Sequence, residues 1–412
     1  MNDLLGESEV TIVGAGIAGL ALAIHLHRRG IICRIYEQAP ELRELGVGIT
    51  ILPHAMRELA ELGLQDLLLK EGIETADSRF FNRFGQLIYG EPRGLAAGYA
   101  HPEVGVRRAK VHSALLAIVR KEIGPEAVVT DRRLVSLEQT SSGTTLSFVT
   151  AAGTLAPTVQ AQLVIGCDGV NSNVRRQFYP EEKLAFAGIN TWRGITRFPA
   201  ILGGRTYLRI GSIRTGKMVI YPIADDIDGS GLQLINWVAE IQDDEMKMND
   251  WNKAGDPAAL MPLFGNWKFD WLDVRSLITN ADTILEYPMV DKDPIDLWSF
   301  DNLTLAGDAA HPMYPRGSNG AAQALIDARV LAECLREVGT SPEALQRYES
   351  QRRPATSAVV RANRAAPPDI INIRVEELTG DRPFSNIDDV ISQEELRNLS
   401  DSYKIIAGFA KA

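Results

Sequence analysis

A chain of 412 residues, of which 45% are hydrophobic and 23% charged, has the composition of a soluble globular protein with room for two or three domains. Its formal net charge of −10 argues against nucleic acid as a partner, because phosphate binding requires a concentrated basic surface. The three cysteines are far apart and lack metal-ligand spacing, which predicts buried reduced thiols, no metal and a cytoplasmic protein.

The first predicted elements form a βαβ unit around a glycine-rich turn. A strand over residues 9–13 leads into Gly14-Ala-Gly16-Ile-Ala18-Gly19, which opens a helix, and a second strand ends at Glu37. In this dinucleotide-binding pattern the first glycine makes the turn, the second lets a pyrophosphate approach the backbone, and the third packs the helix on the sheet. We predict that Glu37 either accepts hydrogen bonds from ribose hydroxyls or is a solvated acid. The glycines also make the apolar stretch 10–26 a poor membrane span, so no membrane association is predicted.

Two later segments favour FAD over NAD as the dinucleotide. A strand over residues 163–167 leads into Asp168, and a strand over residues 303–306 leads into Gly307-Asp308. The carboxylate of Asp308 can meet an extended polyol such as ribityl, although a capping acid at a strand end would have the same pattern. Gly317-Ser318-Asn-Gly320 then begins a long helix, whose N-terminus would stabilise an anionic reduced flavin.

The rest of the chain predicts a second sheet. Hairpin patterns recur in residues 75–100 and 180–285, and all six tryptophans lie between Trp192 and Trp298, which indicates either a layer for a flat substrate or core packing. We predict an α/β fold with a Rossmann-like FAD-binding domain of the glutathione-reductase type, an inserted mixed or antiparallel substrate sheet, and C-terminal helices. The predicted boundaries are residues 1–75, 100–180 and 285–345 for the FAD-binding domain, 76–99 and 181–284 for the substrate sheet, and 346–412 for the C-terminal helical region.

Several strings carry a family resemblance: Leu45-Gly-Val-Gly48-Ile-Thr50, Trp192-Arg-Gly194, Tyr287-Pro-Met289-Val-Asp291 and His311-Pro-Met-Tyr314-Pro315. With the motifs above, they make nearly the whole chain resemble the class A flavoprotein monooxygenases, the para-hydroxybenzoate hydroxylase superfamily, and in particular its phenazine-carboxylate hydroxylase branch. The resemblance implies FAD as the cofactor, with NADH or NADPH and O2 as co-substrates. The implied reaction is hydroxylation of a small aromatic or heteroaromatic molecule, carboxylated or phenolic, through a flavin C4a-hydroperoxide.

The resemblance also implies roles for individual residues. Asp168 and Arg175 are expected to contact both FAD and the reduced nicotinamide, and Asp308 the ribityl chain. Arg43 and Arg108 match positions that contact FAD, although surface ion pairs would explain these two arginines equally well. The predicted cofactor-binding residues are Gly14, Gly16, Ala18, Gly19, Glu37, Arg43, Gly48, Arg108, Asp168, Arg175, Gly307, Asp308, Gly317, Ser318 and Gly320.

The substrate-binding candidates are chosen for aromatic or polar character near strand and loop ends, where core packing is the competing explanation. They are His54, Trp192, Tyr221, Asn236, Met289, Tyr314, Pro315 and Arg316. Arg316 is predicted either to pair with a substrate carboxylate or to point to solvent, and His311 is interpreted as structural. No catalytic residue is assigned, because the cofactor carries the chemistry.

Three alternatives remain at this stage: a flavin epoxidase, a halogenase-like enzyme, or a non-catalytic nucleotide-binding regulator. The sequence leaves open the aromatic substrate, the choice between NADH and NADPH, and the choice between monomer and homodimer.

Overall fold

The computed structural model describes residues 9–42, 47–140, 143–243, 254–365 and 370–406. The strands, in chain order, are β1 Val10–Val13, β2 Cys33–Tyr36, β3 Gly48–Ile51, β4 Ile73–Glu74, β5 Asp77–Phe81, β6 Leu87–Pro92, β7 Val104–Arg107, β8 Val128–Val129, β9 Arg133–Thr140, β10 Gly143–Val149, β11 Val159–Ala161, β12 Leu163–Gly166, β13 Ala185–Phe198, β14 Thr206–Ser212, β15 Gly216–Asp225, β16 Gln233–Gln242, β17 Lys268–Phe269, β18 Leu272–Asp273, β19 Ala281–Asp291, β20 Ser299–Phe300 and β21 Leu303–Leu305. The helices are α1 Ile17–His27, α2 Pro53–Glu61, α3 Gln65–Glu71, α4 Arg108–Glu122, α5 Asn173–Phe178, α6 Met261–Phe264, α7 Val274–Thr279, α8 Gly320–Val338, α9 Pro342–Ala365, α10 Ile370–Thr379 and α11 Gln393–Ile406.

A six-stranded sheet forms the core of the first layer, in the order β20-β21-β12-β1-β2-β8. All neighbours are parallel except β20, which runs antiparallel to β21. The strands are short apolar runs, as expected for parallel strands that are covered on both faces. Helix α1 packs between α4 and α8, and it is followed by Gly30 in the left-handed conformation at φ +77°. The predicted βαβ unit and the α/β class are confirmed.

Two smaller sheets complete this layer. The sheet β11-β10-β9 is an antiparallel meander, and Phe148 on β10 stacks on Tyr36 of β2 at a centroid distance of 5.0 Å. The sheet β3-β7-β4 is also antiparallel. Helices α2 and α3 are separated by a short turn in which Gly63 has a φ of +84°.

A seven-stranded mixed sheet forms the second layer, in the order β19-β13-β16-β15-β14-β5-β6. Its pairs are antiparallel except for β14 with β5. One face, here called the outer face, packs against α6 and α7 in a core that contains Trp192, Trp237 and Trp267. The opposite face, here called the inner face, includes Tyr207, Tyr221 and Val238. Because neighbouring residues of a strand point to opposite faces, the two sets alternate along each strand.

The C-terminal helices join both layers. The first half of α9 lies in the core of the first layer through the buried Leu345 and Tyr348. Helices α10 and α11 instead cover β5 and β6, where Ile371 and Leu396 pack against Phe80. No helix within the described ranges is long and apolar enough to cross a bilayer.

Candidate active site

Four predicted segments meet at one edge of the six-stranded sheet. Strands β1, β2, β12 and β21 end next to each other, and they lead into Gly14, Glu37, Asp168 and Asp308 respectively. Backbone hydrogen bonds continue across this edge, from Gly14 N to Tyr36 O, from Cys167 N to Val13 O and from Ala306 N to Gly166 O, at 2.8–2.9 Å. The carboxyl ends of parallel strands are where α/β proteins bind their ligands.

The glycine-rich turn separates structural from open positions. Gly14 has a φ of +105°, and a Cβ there would lie 2.5 Å from the carbonyl oxygen of Cys167. A Cβ at Gly19 would clash with the carbonyl oxygen of Gly14. A Cβ at Gly16, by contrast, would meet nothing within 4 Å, and no side chain caps the N-terminus of α1. The packing therefore requires the first and third glycines, and it leaves space beside the second for a ligand on the helix N-terminus.

Two side chains hold this turn. Glu37 accepts hydrogen bonds from the backbone N–H of Ala15 and of Ala39, both at 2.8 Å, so it is not merely a solvated strand-end acid. His112 on α4, which the sequence did not single out, lies with its Nε2 2.7 Å from the carbonyl oxygen of Ala15. A carboxylate has about four acceptor positions, so Glu37 keeps capacity for ribose hydroxyls.

Asp168 orders the segment that follows β12. Its carboxylate accepts hydrogen bonds from Ser172 Oγ at 2.5 Å, from Asn173 N at 2.7 Å and from Val174 N at 3.1 Å. Burial raises the pKa of Asp168, against the opposing effect of these hydrogen bonds. The observed partners of Asp168 therefore belong to the start of α5, where the carboxylate acts as a cap.

Arg175 differs from the expectation of a direct nicotinamide contact. The side chain is fully buried, and its Nη1 donates to the carbonyl oxygens of Ala309 and Ala310 at 3.1 and 2.8 Å. Its Nε and Nη2 bind both carboxylate oxygens of Glu182, and Nη2 also donates to the carbonyl oxygen of Asp293. The donors of Arg175 are therefore directed at protein groups, and through Ala309 and Ala310 they fix the segment that follows Asp308.

Asp308 is the exposed acid of the site. The part of the chain that the structure describes gives its carboxylate no hydrogen-bond partner, and a Cβ at Gly320, the first residue of α8, would lie 3.9 Å from its Oδ1. Gly307 has a φ of +59°, and a Cβ there would lie 3.0 Å from the methyl of Ala18 and 3.4 Å from that of Ala324. The Gly307-Asp308 segment thus lies between the first turns of α1 and α8, with its acid available to a ligand.

Asp327 is a buried residue of α8 that the sequence analysis missed. Its Oδ2 accepts hydrogen bonds from Gly307 N at 3.0 Å and from His311 Nε2 at 2.5 Å, and its Oδ1 accepts one from Arg352 Nε at 2.7 Å. Burial raises the pKa of Asp327, but His311 and Arg352 outweigh it and lower the pKa to about 2. An acid on the apolar face of a predicted helix is the signal that would have found it.

The segment before α8 is unusual in its backbone. Gly317 and Ser318 both have positive φ values, +71° and +56°, a conformation that a serine rarely adopts. Asn319 follows, and its Oδ1 lies 3.2 Å from Nε2 of His54 on α2. Burial lowers the pKa of His54 to about 4, which a hydrogen bond with Asn319 only partly opposes. His54 therefore lies as a neutral imidazole against the segment that leads into α8.

The other substrate candidates fall into groups. Tyr221 and Asn236 are cross-strand neighbours on the inner face. Met289 and Tyr314 share a small cluster with Ile189, and burial raises the pKa of Tyr314 to about 12. Trp192 lies apart from these residues. Its position on β13 points to the opposite face of the sheet, where it packs in the outer-face core.

The remaining predicted residues are placed as follows. Pro315 is exposed, whereas Arg316 is only 9% exposed, so it does not point to solvent. Arg108 is exposed at the start of α4 without an ion pair among the described residues, and Arg43 lies outside the described residues. Gly48 donates its backbone N–H to Asn236 Oδ1 at 2.7 Å, which joins β3 to the inner face.

Comparison with known proteins agrees with this geometry. The chain matches the family described as FAD binding domain over residues 7–195 and 289–363. It is 40% identical to the phenazine 1,6-dicarboxylic acid hydroxylase PhzS of Lysobacter antibioticus, over 87% of this chain and 89% of that protein. It is 33% identical to the 3-amino-4-hydroxybenzoate 2-monooxygenase of Streptomyces cremeus, over 87% of this chain and 86% of that protein.

A solved structure shares the fold. HpxO of Klebsiella pneumoniae, complexed with FAD and uric acid, superposes with a TM-score of 0.75 at 22% identity, over 98% of this chain and 96% of that one. The fold, the four segments that meet at the carboxyl edge of the six-stranded sheet, and the family match together define a flavin-binding oxidoreductase. The chain belongs to the FAD-binding family of class A flavin monooxygenases, and it is an FAD-dependent enzyme that hydroxylates aromatic molecules. The resemblance seen in the sequence and the choice of FAD are confirmed.

Proposed function

We propose that one FAD lies along the carboxyl edge of the six-stranded sheet, with its pyrophosphate at the N-terminus of α1 and its ribityl chain at Asp308. The observation that carries this proposal is the convergence of four segments, which leaves open space at Gly16. The exposed carboxylate of Asp308 also has no partner among the residues that the structure describes. The residues present fit the cofactor, because an uncapped helix N-terminus suits a pyrophosphate and a free acid suits a polyol.

The other predicted cofactor residues surround the FAD in this proposal. Glu37 binds the ribose, and Gly317, Ser318 and Gly320 place the N-terminus of α8 at the ring, where its dipole favours negative charge. Gly48 and Arg108 flank the cofactor from the β3–β7 side, and Arg43, outside the described residues, stays a predicted cofactor contact. Asp168 and Arg175 support the site indirectly, through the partners described above.

The proposed FAD-binding and substrate-binding domains correspond to the two layers. Residues 1–75, 100–180 and 285–345 form the FAD-binding domain, and residues 76–99 and 181–284 form the substrate sheet. Residues 346–412 form the C-terminal region, although the first half of α9 also packs in the FAD-domain core. The aromatic substrate binds between the inner face and α8, where Tyr221, Asn236, Met289 and Tyr314 are candidates for contact. His54, Arg316 and Pro315 lie at or near the start of α8.

Bound FAD supplies the redox chemistry and the activation of O2, with NADH or NADPH as the electron donor. The protein supplies binding, orientation and exclusion of water. The apolar side chains of Ile195, Met289 and Val238 suit a water-poor substrate layer. The buried Tyr221 and Tyr314 are neutral phenols, since burial raises the pKa of each, and can hydrogen-bond substrate oxygens.

The wider setting is part of the same proposal. The three cysteines are all buried and free, which suits a reducing cytoplasm. The net charge of −10 favours small-molecule partners over nucleic acid. We expect a monomer or a homodimer.

The test is a reconstitution with a product analysis. The purified protein, supplied with FAD, is expected to become yellow and to oxidise NADH or NADPH faster when an aromatic acid is added. Phenazine-1,6-dicarboxylate and 3-amino-4-hydroxybenzoate are the first acids to try, because relatives act on them. Mass spectrometry is expected to show a product that has gained one oxygen atom. A protein that cannot take up FAD would contradict the proposal, and one that only makes hydrogen peroxide with every aromatic compound would contradict its hydroxylase part.

A further inference from the structure

Arg193 is a cation of the inner face to which the described residues offer no acidic partner. It lies within β13, and among the described residues it forms no ion pair, while its Nε is buried without a hydrogen-bond partner. Its guanidinium carbon lies 5.0 Å from the centroid of the Tyr287 ring. Arg197, four residues further along the same strand, pairs with Asp228 and Asp282. A buried unpaired donor costs free energy, so its retention here calls for a partner that the described residues do not supply.

A second unpaired donor lies on the same face. Asn236 is fully buried, and its Oδ1 accepts the hydrogen bond from Gly48, but its Nδ2 has no partner in the described part of the chain. The register pairs Arg193 with Val238, two residues from Asn236 along β16. Diagonal neighbours of this kind are about 7–8 Å apart, within reach of a long side chain. Arg193 and Asn236 are therefore adjacent donors, and a ligand between them can bind both.

The position of these donors relates them to the reaction. Asn236 is hydrogen-bonded to Gly48 on β3, a residue of the proposed FAD site. Tyr221 is its cross-strand neighbour on the other side, and Tyr287 covers Arg193. The group of Arg193, Asn236, Tyr221 and Tyr287 thus combines one positive charge with two aromatic rings. That combination suits a flat aromatic molecule that presents a carboxylate to Arg193.

We propose that Arg193 binds the carboxylate of an aromatic acid substrate, and that Asn236 donates to a ring heteroatom or ring oxygen of the same molecule. The inference rests on the proposed function and names its substrate class. A guanidinium suits this role because two parallel N–H donors match the two carboxylate oxygens. Arg316, the candidate chosen from sequence, already has a partner within the protein. Arg193 forms no ion pair among the described residues, so it is the better donor to a substrate carboxylate.

The experiment compares acids with their neutral amides on the FAD-loaded enzyme. The probes are phenazine-1,6-dicarboxylate and 3-amino-4-hydroxybenzoate, each beside its carboxamide, and binding is followed by the change in flavin absorbance. The variants are Arg193→Gln, Arg193→Lys and the control Arg197→Gln, which removes an exposed charge from the same strand. Arg193→Gln is expected to weaken acid binding roughly ten- to hundredfold, as for loss of a charged hydrogen bond, and to change amide binding by less than about twofold. Arg193→Lys keeps the positive charge, so it is expected to bind the acids more tightly than Arg193→Gln and less tightly than the wild type.

The outcomes separate the inference from the function on which it rests. Equal losses for acid and amide would indicate a structural role for Arg193 and overturn the inference. Unchanged acid binding in Arg193→Gln, or a wild-type holoenzyme that binds the amides and neither acid, would also overturn it. Full FAD occupancy in every variant shows that the cofactor site is intact. A wild-type protein that takes up no FAD would instead refute the proposed function, and the inference with it.

Discussion

Asp308 provides a direct test of the cofactor site at the scale of a single residue. Its carboxylate is exposed and has no partner among the described residues, so Asp308→Ala is expected to leave the free energy of unfolding of the apoprotein unchanged to within about 0.5 kcal/mol. If the carboxylate binds ribityl hydroxyls, the same change is expected to weaken FAD binding by about tenfold or more, as for loss of a charged hydrogen bond. Titration of the apoproteins with FAD, followed by flavin fluorescence, measures this.

Asp296→Ala is the matched control for Asp308→Ala. It also removes an exposed acid, but one that lies in the segment between β19 and β20. It is expected to bind FAD as the wild type does. If Asp308→Ala also bound FAD with wild-type affinity, the ribityl assignment would be wrong.

Asp327 makes a prediction about pH. Because His311 and Arg352 lower its pKa from 3.8 to about 2 in the folded protein, the ionised carboxylate stabilises the fold. This contribution, roughly 2 kcal/mol, is complete above about pH 4 and is lost as the pH falls toward 2. Asp327→Asn leaves Arg352 buried without its charge partner, so it is expected to lower the free energy of unfolding near neutral pH by about 3–5 kcal/mol.

The difference in unfolding free energy between wild type and Asp327→Asn is therefore expected to shrink on acidification. Urea unfolding at several pH values measures it, and Asp270→Asn, at an exposed acid, is the control. A difference that stayed constant down to about pH 3 would show that Asp327 does not titrate as described.

Local and non-local residues explain how far the sequence predicts the site. Gly14, Gly16, Glu37 and Asp308 are predictable because each belongs to a short pattern around a strand end. The partners of Arg175 and Asp327 come instead from segments up to 135 residues away, and no local pattern specifies them. Arg175 is an example. Its motif predicts a ligand contact, whereas its buried partners are protein carbonyls and Glu182.

At the scale of an element, the turn into α1 predicts opposite effects for two alanine substitutions. Gly16→Ala places its methyl in open space, so the fold is expected to keep its stability to within about 1 kcal/mol. FAD binding is expected to weaken, because the methyl would occupy the proposed pyrophosphate position. Gly19→Ala forces its methyl into the carbonyl oxygen of Gly14, and it is expected to lower the unfolding free energy by about 1–3 kcal/mol or more. Urea unfolding of the apoproteins and FAD titration distinguish the two effects. A destabilised Gly16→Ala variant that bound FAD normally would contradict this division.

Strand β13 shows why the inner face was hard to predict. In a sheet with one solvated face, alternating polarity tells which residues point inward, but both faces of this sheet are buried. Trp192 and Arg193 are adjacent, and a change of one position exchanges the faces. Trp192 is a sequence candidate because of its ring, but it lies in the outer-face core, and its neighbour Arg193 lies on the inner face.

At the scale of the whole molecule, the two layers are expected to unfold as one cooperative unit. The hydrogen bond from Gly48 to Asn236 and the close approach of Gly105 to the carbonyl of Pro222 join β3 and β7 to the substrate sheet. Arg364 on α9 adds a paired contact to Asp291 on β19. Because these contacts cross between the two layers, opening one layer breaks contacts of the other, and a ligand of one layer is expected to stabilise both.

Two optical signals can follow the layers separately. Trp192, Trp237, Trp267 and Trp271 lie in or against the outer-face core, so tryptophan fluorescence reports mainly on the substrate sheet, whereas flavin fluorescence reports on the FAD-binding domain. The two signals are expected to change at the same urea concentration, and FAD at about 100 times its Kd is expected to add about 2.7 kcal/mol to the unfolding free energy seen by both. Asn236→Ala leaves the N–H of Gly48 without its partner and is expected to lower the common midpoint, by about 1–3 kcal/mol in free energy. Separate midpoints in the wild type, with FAD shifting only the flavin signal, would mean that the layers are independent.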